Sequence, residues 1–172
     1  EPICGELLFL KNQPADEPFD AAVVRADGDP IASPIALLTN GCGGMARMAV
    51  NLGSIKSKYD CLLAANLHDS LPVNRQVLAK RVRVWAVADG FITPLDAGNL
   101  LQFHPGPPAR WRFLVSAGDN RTVEVELTAA MPPGANATVL EFYRMDGQPA
   151  QGTVLSKNKS FFLTLRVDIE DR

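Results

Sequence analysis

SFFLTLRVDIE, residues 160–170, alternates apolar and polar side chains from Leu163 onward. Phe161, Leu163, Leu165, Val167 and Ile169 fall on one side; Thr164, Arg166, Asp168 and Glu170 fall on the other. A period of two is the signature of a strand with one face on a core, because successive side chains of an extended chain point to opposite faces. The same pattern occurs in TVEVELTA, where Val123, Val125 and Leu127 oppose Thr122, Glu124 and Glu126. It recurs in RVRVWAVA, where Val82, Val84 and Ala86 oppose Arg81, Arg83 and Trp85. The buried phases of these three stretches are expected to line one core, with Val167 among them.

Shorter strand-like runs, GELLFL, AAVVRA, RWRFLVSA and ATVLEFYRM, are separated by turn-forming clusters such as ADGDP, SAGDN, PPGAN and MDGQP. MARMAVNLGSIKS is the best helical candidate, and Gly53 interrupts it. The expected fold is all-β, an antiparallel two-layer β-sandwich with at most short helices. FHPGPPARW reads as a stiff proline-rich connector between two strands. Its PGPPAR also matches a polyproline recognition motif, although prolines serve equally as rigid joints in β domains.

A chain of 172 residues suits one domain, and folding at this size buries ~70% of the surface exposed by the unfolded chain. Lys and Arg number 17 against 19 Asp and Glu, a formal net charge of −2. That balance argues against nucleic acid and anionic membrane surfaces as partners, which call for a strongly basic face. The longest apolar stretches, IALL and CLLAANL, fall far short of the ~18 to 20 residues of a membrane-spanning helix. Cys4, Cys42 and Cys61 are an odd set without metal-ligand spacing, so neither a disulfide framework nor a metal or other cofactor is expected. A reducing, cytoplasmic setting fits that usage. Asn120, Asn136 and Asn158 match the glycosylation triplet, a pattern that arises by chance in chains rich in Thr and Ser. The sequence opens on Glu1 without a methionine and stops on DIEDR straight after a strand-like run. Both ends read as cut.

The apolar run at LLTNGCGGMARMAVNL, residues 37–52, breaks at Asn40, Gly41, Cys42, Gly43 and Gly44 and then resumes. A dinucleotide fingerprint needs its glycines between a strand and a helix, and a phosphate loop needs Lys and then Ser or Thr after the last glycine. Met45 and Ala46 follow instead, so the cluster reads as a tight corner that uses positive φ or lets another segment come close. Nucleophilic catalysis would need a Ser or Cys beside a histidine, and His68 and His104 both sit in loop-like settings. Glu124, Glu126, Asp168 and Glu170 lie on polar strand phases that read as solvated. Trp85 stands in the polar phase of its strand, open to a sugar or a neighbouring domain, and Trp111 reads as packed.

Order and spacing then add a resemblance. Leu38, Thr39, Asn40, Gly41, Cys42, Gly43 and Gly44 match a Leu-Thr-Asn-Gly-X-Gly-Gly segment. Lys58 and Tyr59 lead into CLLAANL, and Pro72, Arg75 and Lys80 follow on a turn and the next strand. In this arrangement the chain resembles, from residue 36 and most closely to about residue 130, the N-terminal β domain of prokaryotic glycogen debranching enzymes of the amylo-alpha-1,6-glucosidase type. Met45 stands where the family usually has tyrosine, and the family's Tyr-His-Gly step reads Tyr59, Asp60, Cys61, so no histidine occupies it.

The resemblance implies a single sandwich domain, residues 1–172, excised from a larger enzyme. It places the catalytic carboxylates in a downstream helical barrel of the same polypeptide, on which the sandwich packs while helping to shape an α-glucan cleft. Substrate or interface candidates are Asn40, Gly41, Gly43, Gly44, Lys58, Tyr59, Asp60, Arg75 and Lys80. The glycine corner is expected to lie near Lys58, Tyr59 and Asp60, with Arg75 and Lys80 completing a polar patch around one ring. A freestanding structural or adhesion-type sandwich is the alternative that the composition permits.

Overall fold

The structure, a computed structural model, describes residues 34–68 and 74–170. The strand-like runs GELLFL and AAVVRA, together with Cys4 and Pro72, lie outside the described residues. Eleven strands follow in order: β1 (Ile35–Thr39), β2 (Met45–Ala49), β3 (Cys61–Asn66), β4 (Arg75–Ala88), β5 (Phe91–Pro94), β6 (Leu100–His104), β7 (Ala109–Ser116), β8 (Arg121–Ala130), β9 (Val139–Arg144), β10 (Thr153–Val154) and β11 (Phe161–Ile169). There is no helix among the described residues. The helical candidate is β2 and the loop after it. Over five residues Ala46 and Met48 point inward and Met45 and Arg47 outward, and β2 is held by antiparallel pairing on both sides. Ladder pairing outweighs helix propensity in so short a run.

Two sheets result. The first runs β1-β2-β3-β4-β11, with β5 also on β4; the second runs β10-β8-β7-β6, with β9 also on β8. Every pairing is antiparallel except that of β10 with β8. The long central strands explain the branching: β3 pairs with the first part of β4 and β5 with its last four residues. Asp89 and Gly90, both at positive φ, form the two-residue turn from β4 to β5. Asp-Gly is favoured there because both residues of such a hairpin turn sit in the left-handed region.

The core lies between the sheets and is unequal in grain. The first sheet contributes Ala36, Ala46, Ala86, Ala88, Val82 and Val84 beside Leu38, Met48 and Leu62, while the second contributes the rings of Phe103, Trp111 and Phe113 with Val125, Leu127, Ala109 and Ala129. Among the described residues all the buried rings come from the second sheet, and the many alanines of the first leave room for them. Phe103 and Trp111 pack tilted with ring centroids 5.1 Å apart. The Trp111 indole N–H donates to the Val50 carbonyl at 3.0 Å, so the largest buried side chain also ties the sheets together.

The buried phases of β4 and β8 are as the alternation predicts. On β11 the prediction holds for Phe161, Leu163 and Leu165, which pack against the core, but Val167 is 46% exposed and Ile169 67%. Both lie in the inward phase, opposite Val82 and Ala79, but near the end of an edge strand that pairs only with β4 among the described residues. Glu126 departs the other way: it is buried and ion-paired with Arg112 at 3.2 Å.

Candidate functional site

The glycine corner links β1 to β2, and Asn40 organises it. The Asn40 Oδ1 accepts from the backbone N–H groups of Cys42 and Gly44, both at 2.8 Å. Its Nδ2 donates to the Ala135 carbonyl and to Asn136 Oδ1, both at 2.9 Å, and its own carbonyl accepts from Gly134 N–H at 2.8 Å. Gly41 and Gly43 have φ of 78° and 90°, the left-handed region that costs a side chain. Gly44 answers a different need, because a Cβ there would lie 2.5 Å from Asn40 Nδ2. The corner rivets the first sheet to the loop between β8 and β9, and buried Asn40 spends its amide on that task. Asn136, one of the glycosylation triplets, is its partner.

Asp60 is likewise committed. It is buried, ion-pairs with Arg47 across the β2–β3 ladder, and its Oδ2 accepts from Lys56 and Ser57 N–H groups at 2.6 and 2.8 Å. A carboxylate in that setting closes the turn that starts β3. Tyr59 beside it is 61% exposed, with the Lys58 ammonium 5.1 Å from its ring centroid. Lys80 donates to the Lys58 carbonyl at 2.9 Å and lies 3.5 Å from Glu170.

Arg75 sits elsewhere. Its Nε donates to the Gly43 carbonyl at 3.0 Å and its Nη1 contacts Met45 Sδ at 3.0 Å. Because Met45 pairs with Ala64 and Arg47 with Cys61, the glycine corner stands at the far end of β3 and the Lys58–Asp60 turn at its start. The six residues of β3, spanning ~16 Å, lie between them. The expected single patch is therefore two: Asn40, Gly41, Gly43, Gly44 and Arg75 at one end, and Lys58, Tyr59, Asp60 and Lys80 at the other. An antiparallel neighbour returns the chain alongside, but it puts the two turns that bound a strand at opposite ends.

The outer face of the first sheet holds a charge cluster that the sequence alone does not reveal. Asp168 accepts from Arg81 Nε and from Arg83 Nη2 at 3.0 Å, and Arg166 Nε lies 3.3 Å away. The Arg81 and Arg83 guanidiniums hold its carboxyl at a pKa of about 2, well below the ordinary carboxylate range. The signal in the sequence was the polar phase of RVRVW and of RVDIE; the missing information was the register that sets Arg81 against Asp168 and Arg83 against Arg166.

Of the histidines, His104 ends β6 and its Nδ1 accepts from Gly106 N–H at 3.2 Å, while His68 is exposed after β3. Among the described residues no group of His, Cys, Asp and Glu is arranged to hold a metal ion. Burial pushes the Cys61 thiol pKa up, against the opposing effect of Arg47, Lys80 and Arg75. No helix of the described residues is long and apolar enough to cross a membrane.

No curated protein and no solved structure matches the chain. A family model described as "Glycogen debranching enzyme N terminal" matches residues 36–172, most of the sequence and all but the first two of the described residues. The matched span contains both strand ends described above and every strand from β2 to β11. The chain belongs to the glycogen debranching enzyme N-terminal family.

Proposed function

We propose that this chain is the accessory N-terminal domain of an enzyme that hydrolyses α-1,6 branch points of glycogen-type glucans. In this reading it packs on a helical catalytic domain of the same polypeptide and helps to shape the glucan cleft. The observation that carries the reading is the family match over residues 36–172. The geometry agrees in one respect: Asp60, Asp89, Glu126 and Asp168 are each held by an arginine, which suits structural carboxylates better than groups poised to exchange protons. Branch-point hydrolysis needs a carboxylic acid to protonate the leaving oxygen and a second carboxylate as nucleophile or base. The catalytic domain supplies that pair, and this chain supplies rim and support.

Within that division of labour the exposed Tyr59 ring and the Arg75 guanidinium are the rim groups. An aromatic face stacks on a pyranose ring, and a guanidinium donates to hydroxyls or to a facing carboxylate. Tyr59→Ala and Arg75→Ala are expected to lower branch-point hydrolysis by the full-length enzyme by about 10-fold. The same changes should shift the melting temperature of the 172-residue chain by less than about 2 °C, as surface substitutions do. Early melting of the chain combined with unchanged activity per folded full-length molecule would make both residues structural.

A further inference from the structure

The exposed large apolar side chains are unevenly shared between the sheets. Leu37, Phe91, Ile92, Phe162, Val167 and Ile169 stand on strands of the first sheet, against Val139 and Val154 on the second. Register gathers part of this surplus into one patch. On the outer face Phe162 lies opposite Val87, and Val87 opposite Ile92; the next rung is Thr164, Trp85 and Pro94. Residues directly opposed across antiparallel strands are in side-chain contact range, so these rungs form one surface that is apolar apart from the Thr164 hydroxyl and the Trp85 indole N–H. Phe162 is 62% and Ile92 70% exposed. The following rungs, Arg166 with Arg83 and Asp168 with Arg81, set three guanidiniums around one carboxylate. An acidic chain thus carries an apolar patch bordered by excess positive charge.

We infer that this face, β5-β4-β11, is the surface on which another domain of the same enzyme docks, through an apolar ridge flanked by carboxylates. The inference rests on the reading that the chain is one domain of a larger enzyme. Charge decides between occupants. A second copy would set guanidiniums against guanidiniums. For a glucan, the apolar rungs offer the Thr164 hydroxyl and the Trp85 indole N–H, while branched Val87 and Ile92 break up the flat surface on which a sugar ring stacks. A protein ridge with acidic flanks satisfies both halves, covering the apolar rungs and pairing the surplus guanidiniums.

Amide hydrogen exchange in the full-length enzyme and in the 172-residue chain tests this. Residues 91–94 and 161–169 should exchange at least about 10-fold more slowly in the full-length enzyme. That protection should be lost in Phe162→Glu/Ile92→Glu and kept in the second-sheet control Val139→Glu/Val154→Glu. Arg166→Glu, which leaves the apolar rungs intact, should weaken it in part. Equal exchange in the two proteins overturns the inference. So does protection indifferent to Arg166→Glu, loss of maltooligosaccharide binding by the Phe162→Glu/Ile92→Glu chain, or a dimer of the 172-residue chain that this variant abolishes. Protection in a full-length protein without debranching activity would leave the docking face standing and remove the functional reading; activity without protection would do the reverse.

Discussion

Strands β8 and β11 are written in the same alternating pattern and end in different environments. Val125 and Leu127 of β8 are fully buried, whereas Val167 and Ile169 of β11 are open to solvent. The difference is position. β8 has β7 on one side and β9 and β10 on the other, so its inward residues are roofed by the opposite sheet and walled by neighbours. Among the described residues β11 pairs with β4 alone, and toward its end Val167 and Ile169 are exposed. Alternation specifies which face a side chain takes; the neighbours decide whether that face is dry.

The largest expected effect tests the β8 side. Leu127→Ala removes a fully buried side chain between two sheets and should cost ~2–5 kcal/mol in urea unfolding of the chain, the range for such cavities. A loss below ~1 kcal/mol would mean that the centre is loosely packed. The glycine corner belongs with β8 in this respect. Asn40→Ala strands the Cys42 and Gly44 amides and the Ala135 carbonyl, and about 1–3 kcal/mol is expected for leaving such groups unpaired. An Asn40→Ala chain as stable as wild type would show that water replaces the side chain, and that the corner is free to face a ligand.

On β11 the series flattens. Leu165→Ala, half-buried beside β4, should cost about 1–2 kcal/mol. Ile169→Thr should stay within ~0.5 kcal/mol. If Ile169→Thr matched Leu127→Ala in the 172-residue chain, β11 would be covered there already and the contrast would vanish. The smallest effect is electrostatic. Because Asp168 has a depressed folded pKa, its ion pairs contribute stability above the unfolded carboxylate value of ~3.9, and that contribution is lost as pH falls toward about 2. An acid titration followed by carboxyl carbon resonances should find Asp168 protonating at about pH 2, and Arg81→Gln should raise its midpoint. A midpoint near ~4 in the unmodified chain would dissolve the cluster.

Much of this was legible in the residues. The inward phases of β4 and β8 followed from period two, and the glycine corner was recognisable because no phosphate-binding sequence followed Gly44. Other features depend on pairings between distant parts of the chain. Nothing near Asn40 announces that its amide reaches Ala135 and Asn136, nor does the turn at Asp60 announce Arg47. The separation of the two candidate clusters was hidden for the same reason. The resemblance set Arg75 on a turn and Lys80 on the next strand; β4 carries both, and its pairing with β3 assigned Arg75 to the corner and Lys80 to the turn. The exposure of Val167 and Ile169 was illegible because it reflects where β11 sits, with β4 as its one partner among the described residues, rather than any property of the strand.

The most direct test of the account is hydrolysis of a branched α-glucan by the 172-residue chain and by the full-length enzyme at equal molar concentration. The account predicts release of the α-1,6-linked glucose by the full-length enzyme and none by the chain. Release by the chain that survives repurification would contradict it, and would move the chemistry into the sandwich itself.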